Sequence, residues 1–176
     1  MKKKSKYNRG TQYKDFWVFG GVERSTGKWF CKLVNGDRTK PTLSQHIKSH
    51  IAPETTIMSD KFSSYVSSNE KHTLENNRML KKMKYTHKWV NHSENFVDPT
   101  TGAHTQKIEG VWEVKLKMYV RRMRGLRKDM IGSYLDAYMW RSWFFPKQAR
   151  LDQYFNGLIL EAFMEWRSAQ DSQEYQ

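Results

Sequence analysis

The chain is 176 residues long, enough for one domain with a real core, and its 38% hydrophobic and 14% aromatic content, including 7 Trp, excludes a disordered polymer. Lys and Arg number 31 against 18 Asp and Glu; the formal charge of +13 opposes compaction unless a polyanion relieves it, which makes nucleic acid the first partner class to consider. No stretch approaches the roughly 20 apolar residues of a spanning helix, the opening residues are not a signal peptide, and one cysteine excludes a disulfide framework or multi-cysteine zinc site, so a soluble, intracellular protein with no membrane partner is expected.

Residues 1–14 form a basic tail, with Lys2, Lys3, Lys4, Lys6, Arg9 and Lys14, expected to lie on the surface or along DNA. Two β-rich runs, Phe16 to Val22 and Trp29 to Val34, flank Ser25-Thr26-Gly27 and predict a hairpin. Cys31, inside the second run, reads as a packed small hydrophobe. Pro41 and Thr42 open a short amphipathic helix through Leu43, Ile47 and Ile51, with Thr42 as its N-cap. His46 and His50 have the spacing of a metal pair, but no third ligand lies near them in sequence and they read as surface residues.

Pro53 ends that helix, and Thr55 to Asp60 reads as a short buried strand finishing on a carboxylate, followed by a helix from Lys61 through Tyr65. The polar segment Ser67 to Lys84 is expected to be a surface excursion, Tyr85 to Asn91 a further strand, and Asp98-Pro99-Thr100-Thr101-Gly102 a loop. Beyond His104 the pattern is helical. Ile108, Val111, Trp112, Lys115 and Tyr119 share one face, a second helix runs through Met130, Tyr134, Leu135, Tyr138 and Trp143, and a third, after Pro146, runs from Leu151 to Trp166. This order fits an α/β or α+β sheet domain over residues 15–145 with a helical C-terminal extension over 146–176.

Three groups of residues bear on chemistry. Asp60 at a strand end and Glu109 near a helix start could share Mg²⁺, as phosphoryl transfer on DNA requires; the same placements also suit a helix cap and a carboxylate complementing a helix dipole. His92 and His104, in the polar stretch between the last strand and the helix of Glu109, could sit beside such a site or simply hydrogen-bond within their loops. Lys115, Lys117, Arg121, Arg122, Arg124, Arg127 and Lys128 make a basic run that can track a phosphate backbone, and the net charge favours this over a merely solvated face.

Taken together, Trp17 to Arg24, Thr42-Leu43, Ile57 to Asp60, Val90 to Ser93, Phe96 to Pro99, Gly102 to Gln106, Ile108 to Gly110 and Trp112 resemble the DDE transposases of the Merlin group of eukaryotic DNA transposons and their bacterial insertion-sequence relatives. The matches are collinear from about Lys6 to about Trp143. The resemblance implies a ribonuclease H-like mixed sheet with flanking helices, Mg²⁺ or Mn²⁺ as cofactor, and strand cleavage and transfer at transposon ends. It makes Asp60 the second catalytic aspartate and Glu109 the final acidic residue, both metal ligands, with Gln106 the neighbouring position one helical turn away.

In the family the first aspartate lies on a central first strand, upstream of the segment resembling Lys6 to Gly10; the opening Met1-Lys2-Lys3-Lys4 therefore leads to the expectation of a chain lacking that strand and of an incomplete active site. Asp15 and Asp37 are poor substitutes by their place in the strand order. The readings carried forward are a transposase-derived protein inactive as given, or a repurposed DNA-binding or oligomerisation module whose dimer surface would be built on Trp140, Trp143 and Trp166, residues that serve equally well as core. Nuclear residence is expected in a eukaryotic cell and cytoplasmic residence otherwise.

Overall fold

The computed structural model describes residues 16–34, 37–123, 128–145, 150–160 and 162. The basic tail, Asp15 and the end of the third predicted helix, Trp166 included, lie outside the described residues. The architecture is mixed α/β, with two small two-stranded sheets and several helices. Among the described residues no helix is long and apolar enough to cross a membrane. The chain divides into two compact units: one is the chain up to Phe19 with Leu33–His104, the other Gly20–Lys32 with the chain from Thr105 onward.

The predicted hairpin forms. Strand β1 (Trp17–Val22) pairs with β2 (Trp29–Val34), and the connection closes through Glu23 N to Lys28 O at 2.8 Å and Gly27 N to Glu23 O at 2.9 Å. Gly27, at φ +72°, supplies the left-handed corner that the turn demands.

In the first unit, helix α1 (Lys40–His50) begins one turn earlier than expected. Its N-cap is Thr39, not Thr42, because Pro41 fits a first turn, where its missing N–H leaves no bond unmade. Thr42 lies inside the helix and donates its hydroxyl to Asp37 at 3.0 Å. Leu43 and Ile47 are buried, and the Tyr85 hydroxyl donates to the Ile51 carbonyl at 2.6 Å, closing the helix end. Strands β3 (Thr56–Asp60) and β4 (Thr86–Val90) then pair in parallel, from Thr56 opposite Thr86 to Asp60 opposite Val90. Strand β3 is half-buried at its centre and exposed at both ends, not the fully buried strand that its composition suggested.

One expectation for this unit fails and a second is met only in part. The helix expected over 61–65 is a turn, in which the Phe62 carbonyl accepts from Tyr65 N and Val66 N, since five residues are too few to repay helix nucleation. The segment Ser67 to Lys84 is largely exposed, as a surface excursion would be, but it is anchored by a few buried residues. Val66, Leu74, Leu80 and Asn77 are buried, and the Asn77 amide donates to Ser44 Oγ at 2.8 Å, which in turn donates to Lys40 O at 2.6 Å. Isolated apolar residues among charged ones show no period, so their burial is a tertiary effect.

In the second unit, β2 lies against helix α4 (Ile131–Phe144), within one residue or so of the predicted helix. The Cys31 amide donates to Met139 Sδ at 2.9 Å, the Trp143 indole donates to Trp29 O at 2.6 Å, and Lys32 pairs with Asp136 at 2.8 Å. Cys31 is fully buried, as its packed reading requires, and burial aided by the Asp136 carboxylate pushes its thiol up to about 12. A continuous helical run comprises α2 (Gln106–Gly110), a π-helical stretch (Val111–Lys117) and α3 (Met118–Arg122). Its less exposed face carries Ile108, Val111, Trp112, Lys115 and Tyr119, the predicted stripe. Residues 151–160 are helical, with Gly157 seated against Phe144 and Phe145, while Leu151, Phe155, Leu158 and Leu160 stay largely exposed. Of the tryptophans proposed for a dimer surface, Trp143 is 40% exposed and Trp140 half-buried.

Candidate functional site

Parallel pairing brings the ends of β3 and β4 level, so that Asp60 and the loop after Val90 leave the sheet together, and Lys61 N to Val90 O at 3.0 Å extends the ladder one step. The space beyond the carboxyl ends of parallel strands is where open α/β sheets bind ligands. Asp60 is exposed there. Its backbone is held from behind: Ser59 Oγ donates to the Asp60 carbonyl at 2.7 Å and lies 2.9 Å from His87 Nε2. The following loop folds on itself through Asn91, which accepts from Ser93 Oγ at 2.8 Å and donates to Glu94 at 2.7 Å. Lys61 is held above its ordinary pKa, first by its hydrogen bond to Glu70 and also by the Glu94 carboxylate, which places the loop in electrostatic reach of the strand end.

Beside Asp60 lies a group that the sequence reading did not single out. Phe62 and Tyr65 pack edge to face at 5.6 Å, and the Tyr65 hydroxyl is pushed up to about 12 by burial, with the Asp60 carboxylate adding to the rise and Arg38 opposing it. The Arg38 guanidinium lies over the Trp17 ring, 3.4 Å from its centroid, and 5.0 Å from that of Phe62. Only the fold makes neighbours of residues so separated in sequence; an Arg just ahead of a helix gives no such signal by itself.

Glu109 belongs to the second unit. It is exposed on α2, and its carboxylate accepts from Thr105 Oγ1 at 2.5 Å, which orients the side chain within one turn. Gln106 is exposed at the start of the same helix. The approach to α2 is built by Asp98, which accepts from Thr100 N, Thr101 N and Thr101 Oγ1; these bonds, that of the Thr101 hydroxyl first, hold its carboxyl below the usual range. Gly102 completes the turn at φ +67°. His92 is exposed and His104 half-buried, and both belong to the unit of Asp60.

The carboxylates are hard oxygen donors of the kind that Mg²⁺ takes. They match such an ion in type but fall short in number: among the described residues no three His, Cys, Asp or Glu side chains form a group able to hold a metal. His46 stacks with Phe19 and with His50, the His50 ring being tilted against Phe19, and burial followed by the charge of His50 lowers the pKa of His46.

The basic run is distributed more widely than its sequence suggests. Lys115 is half-buried, with its ammonium 5.6 Å from the Trp29 ring centroid, and Lys117 pairs with Glu113 one turn back, which holds the Glu113 carboxyl low. Arg121 and Arg122 are exposed. Arg124 and Arg127 lie outside the described residues, and for Lys128 only the backbone is described.

The family model described as ISXO2-like transposase domain matches residues 1–143, more than three quarters of the chain. No curated protein matches it.

Proposed function

Because the chain belongs to the DDE transposase family, through its ISXO2-like transposase domain, we propose that it is a transposase-derived protein of the Merlin kind that acts on transposon-end DNA, and that these 176 residues bind DNA without cutting it. The observation that carries this reading is the exposed Asp60 at the carboxyl end of a parallel strand pair, in a chain of formal charge +13. In this reading the fold is ribonuclease H-like over residues 15–145, with 146–176 an extension. Asp60 and Glu109 would hold Mg²⁺ or Mn²⁺, which when bound supplies an activated oxygen for attack on a phosphodiester. His92, His104 and Gln106 support the two carboxylates, and the run from Lys115 to Lys128 binds DNA. We assign two carboxylates to a site for which the family resemblance implies three, and the proposal of binding without cleavage rests on that assignment. In a eukaryotic cell such a protein works in the nucleus.

The test is fluorescence anisotropy on duplex DNA. Affinity should fall by more than about tenfold between 50 and 200 mM salt, as two released phosphate contacts give. Asp60→Asn and Glu109→Gln should leave it unchanged, and no Mg²⁺-dependent nicking should appear. Binding insensitive to salt, or absent, defeats the proposal. A second reading, a repurposed oligomerisation module, draws on the exposed Leu151, Phe155 and Leu158. Sedimentation without DNA distinguishes it by a concentration-dependent mass.

A further inference from the structure

We infer that Arg38, seated on Trp17, is a strand-positioning residue that grips a DNA phosphate beside Asp60, while the exposed part of the Trp17 ring offers a base a face to stack on. This rests on the DNA-binding reading above and adds a contact on a different part of the chain from the basic helical run.

Four observations carry it. The guanidinium is stacked rather than free to wander, 3.4 Å from the Trp17 centroid and 5.0 Å from that of Phe62. Its backbone is fixed, because Ser64 Oγ donates to the Arg38 carbonyl at 2.6 Å. Both Arg38 and Trp17 are exposed, Trp17 at 41%, although a Trp costs apolar burial when left in water. Among the described residues no carboxylate comes within ion-pair distance of Arg38; the nearby Asp37 is engaged by Thr39 and Thr42 instead.

A guanidinium that is planar, fixed, exposed and unpaired suits bidentate phosphate binding. An adjoining aromatic face suits a base that has left the duplex stack, and such pairs of cation and ring recur in grooves for single-stranded nucleic acid. The location decides the role. Phe62 and Ser64, which contact Arg38, follow Asp60 by two and four residues, so a phosphate held by Arg38 lies near the strand end that carries the carboxylate. Arg38 thus acts on the strand and not on the reacting atoms.

The full chain is titrated with duplex and single-stranded oligonucleotides across a salt series. Arg38→Gln should weaken binding at least threefold and reduce the slope of log affinity against log salt by about one. Arg38→Lys, which keeps the charge, should retain the slope. Because the side chain is exposed, the thermal midpoint of Arg38→Gln should match that of the unsubstituted chain. Irradiating a complex with an oligonucleotide carrying 5-iododeoxyuridine should yield a cross-link at Trp17, identified by peptide mass. An unchanged slope in Arg38→Gln, or cross-links confined to residues 115–122, overturns this inference and leaves the DNA-binding reading standing. If the unsubstituted chain fails to bind DNA at all, both fall.

Discussion

His87 makes two hydrogen bonds that leave room for one proton. The Leu74 amide donates to its Nδ1 at 3.2 Å, so Nε2 carries the hydrogen and donates to Ser59 Oγ at 2.9 Å. Burial holds this histidine down to about 4, against the upward pull of Glu75. In the unfolded chain it titrates near its ordinary value of 6.5. Between these values the unfolded state binds more protons, so the contribution is complete above about pH 6.5 and declines as pH falls toward about 4. The urea midpoint should therefore drop across this window by the equivalent of about 3 kcal/mol, the scale that a shift of this size implies. The variant His87→Asn should be less stable at pH 7 but flatter below it; a profile parallel to that of the unsubstituted chain would refute the assignment. Strand alternation made β4 visible in the sequence, yet nothing in Thr86-His87-Lys88 revealed that this histidine braces Ser59 and, through it, Asp60. Asp60 itself was legible because a carboxylate closing an apolar run marks a strand end. Arg38 was not, since its meaning depends on Trp17 and Phe62 arriving from elsewhere in the chain.

At the level of elements, the Gly20-Gly21 pair in β1 shows how a strand can be specified by what it omits. A Cβ on Gly20 would lie 2.4 Å from the Phe30 carbonyl and 2.5 Å from the Trp112 ring, and one on Gly21 2.7 Å from the Phe30 ring. Backbone cannot step aside as a flexible side chain can, so Gly20→Ala should cost about 2–3 kcal/mol by the usual scale of overpacking. Chemical denaturation measures this directly, and a loss below about 0.5 kcal/mol would show that the Trp112 contact is not held. The hairpin, α1, both parallel strands and α4 were legible because their apolar residues follow a period of two or of 3.6. The segment between Val66 and Lys84 was not, because Leu74 and Leu80 are single apolar residues whose partners lie on other elements. The π-helical stretch Val111–Lys117 was likewise invisible: its sequence satisfies an ordinary helical stripe, and the wider turn keeps that stripe facing inward.

For the molecule as a whole, a charge of +13 has two opposed consequences. Screening should relieve self-repulsion in the free protein while it weakens attraction to DNA. The thermal midpoint without DNA should thus rise by a few degrees between 20 and 200 mM NaCl, with differential scanning fluorimetry as the readout; a midpoint that falls over that range would mean that internal ion pairs, not repulsion, dominate. The two units also have a covalent relation that bears on the history such a chain can have. One is assembled from residues on either side of the hairpin tip that the other incorporates, and the backbone passes between them after Phe19, Lys32 and His104. Interleaved segments of this kind cannot be shuffled as cassettes. A stop codon or a recombination junction placed between Val22 and His104 removes part of both units, so neither survives such a cut intact.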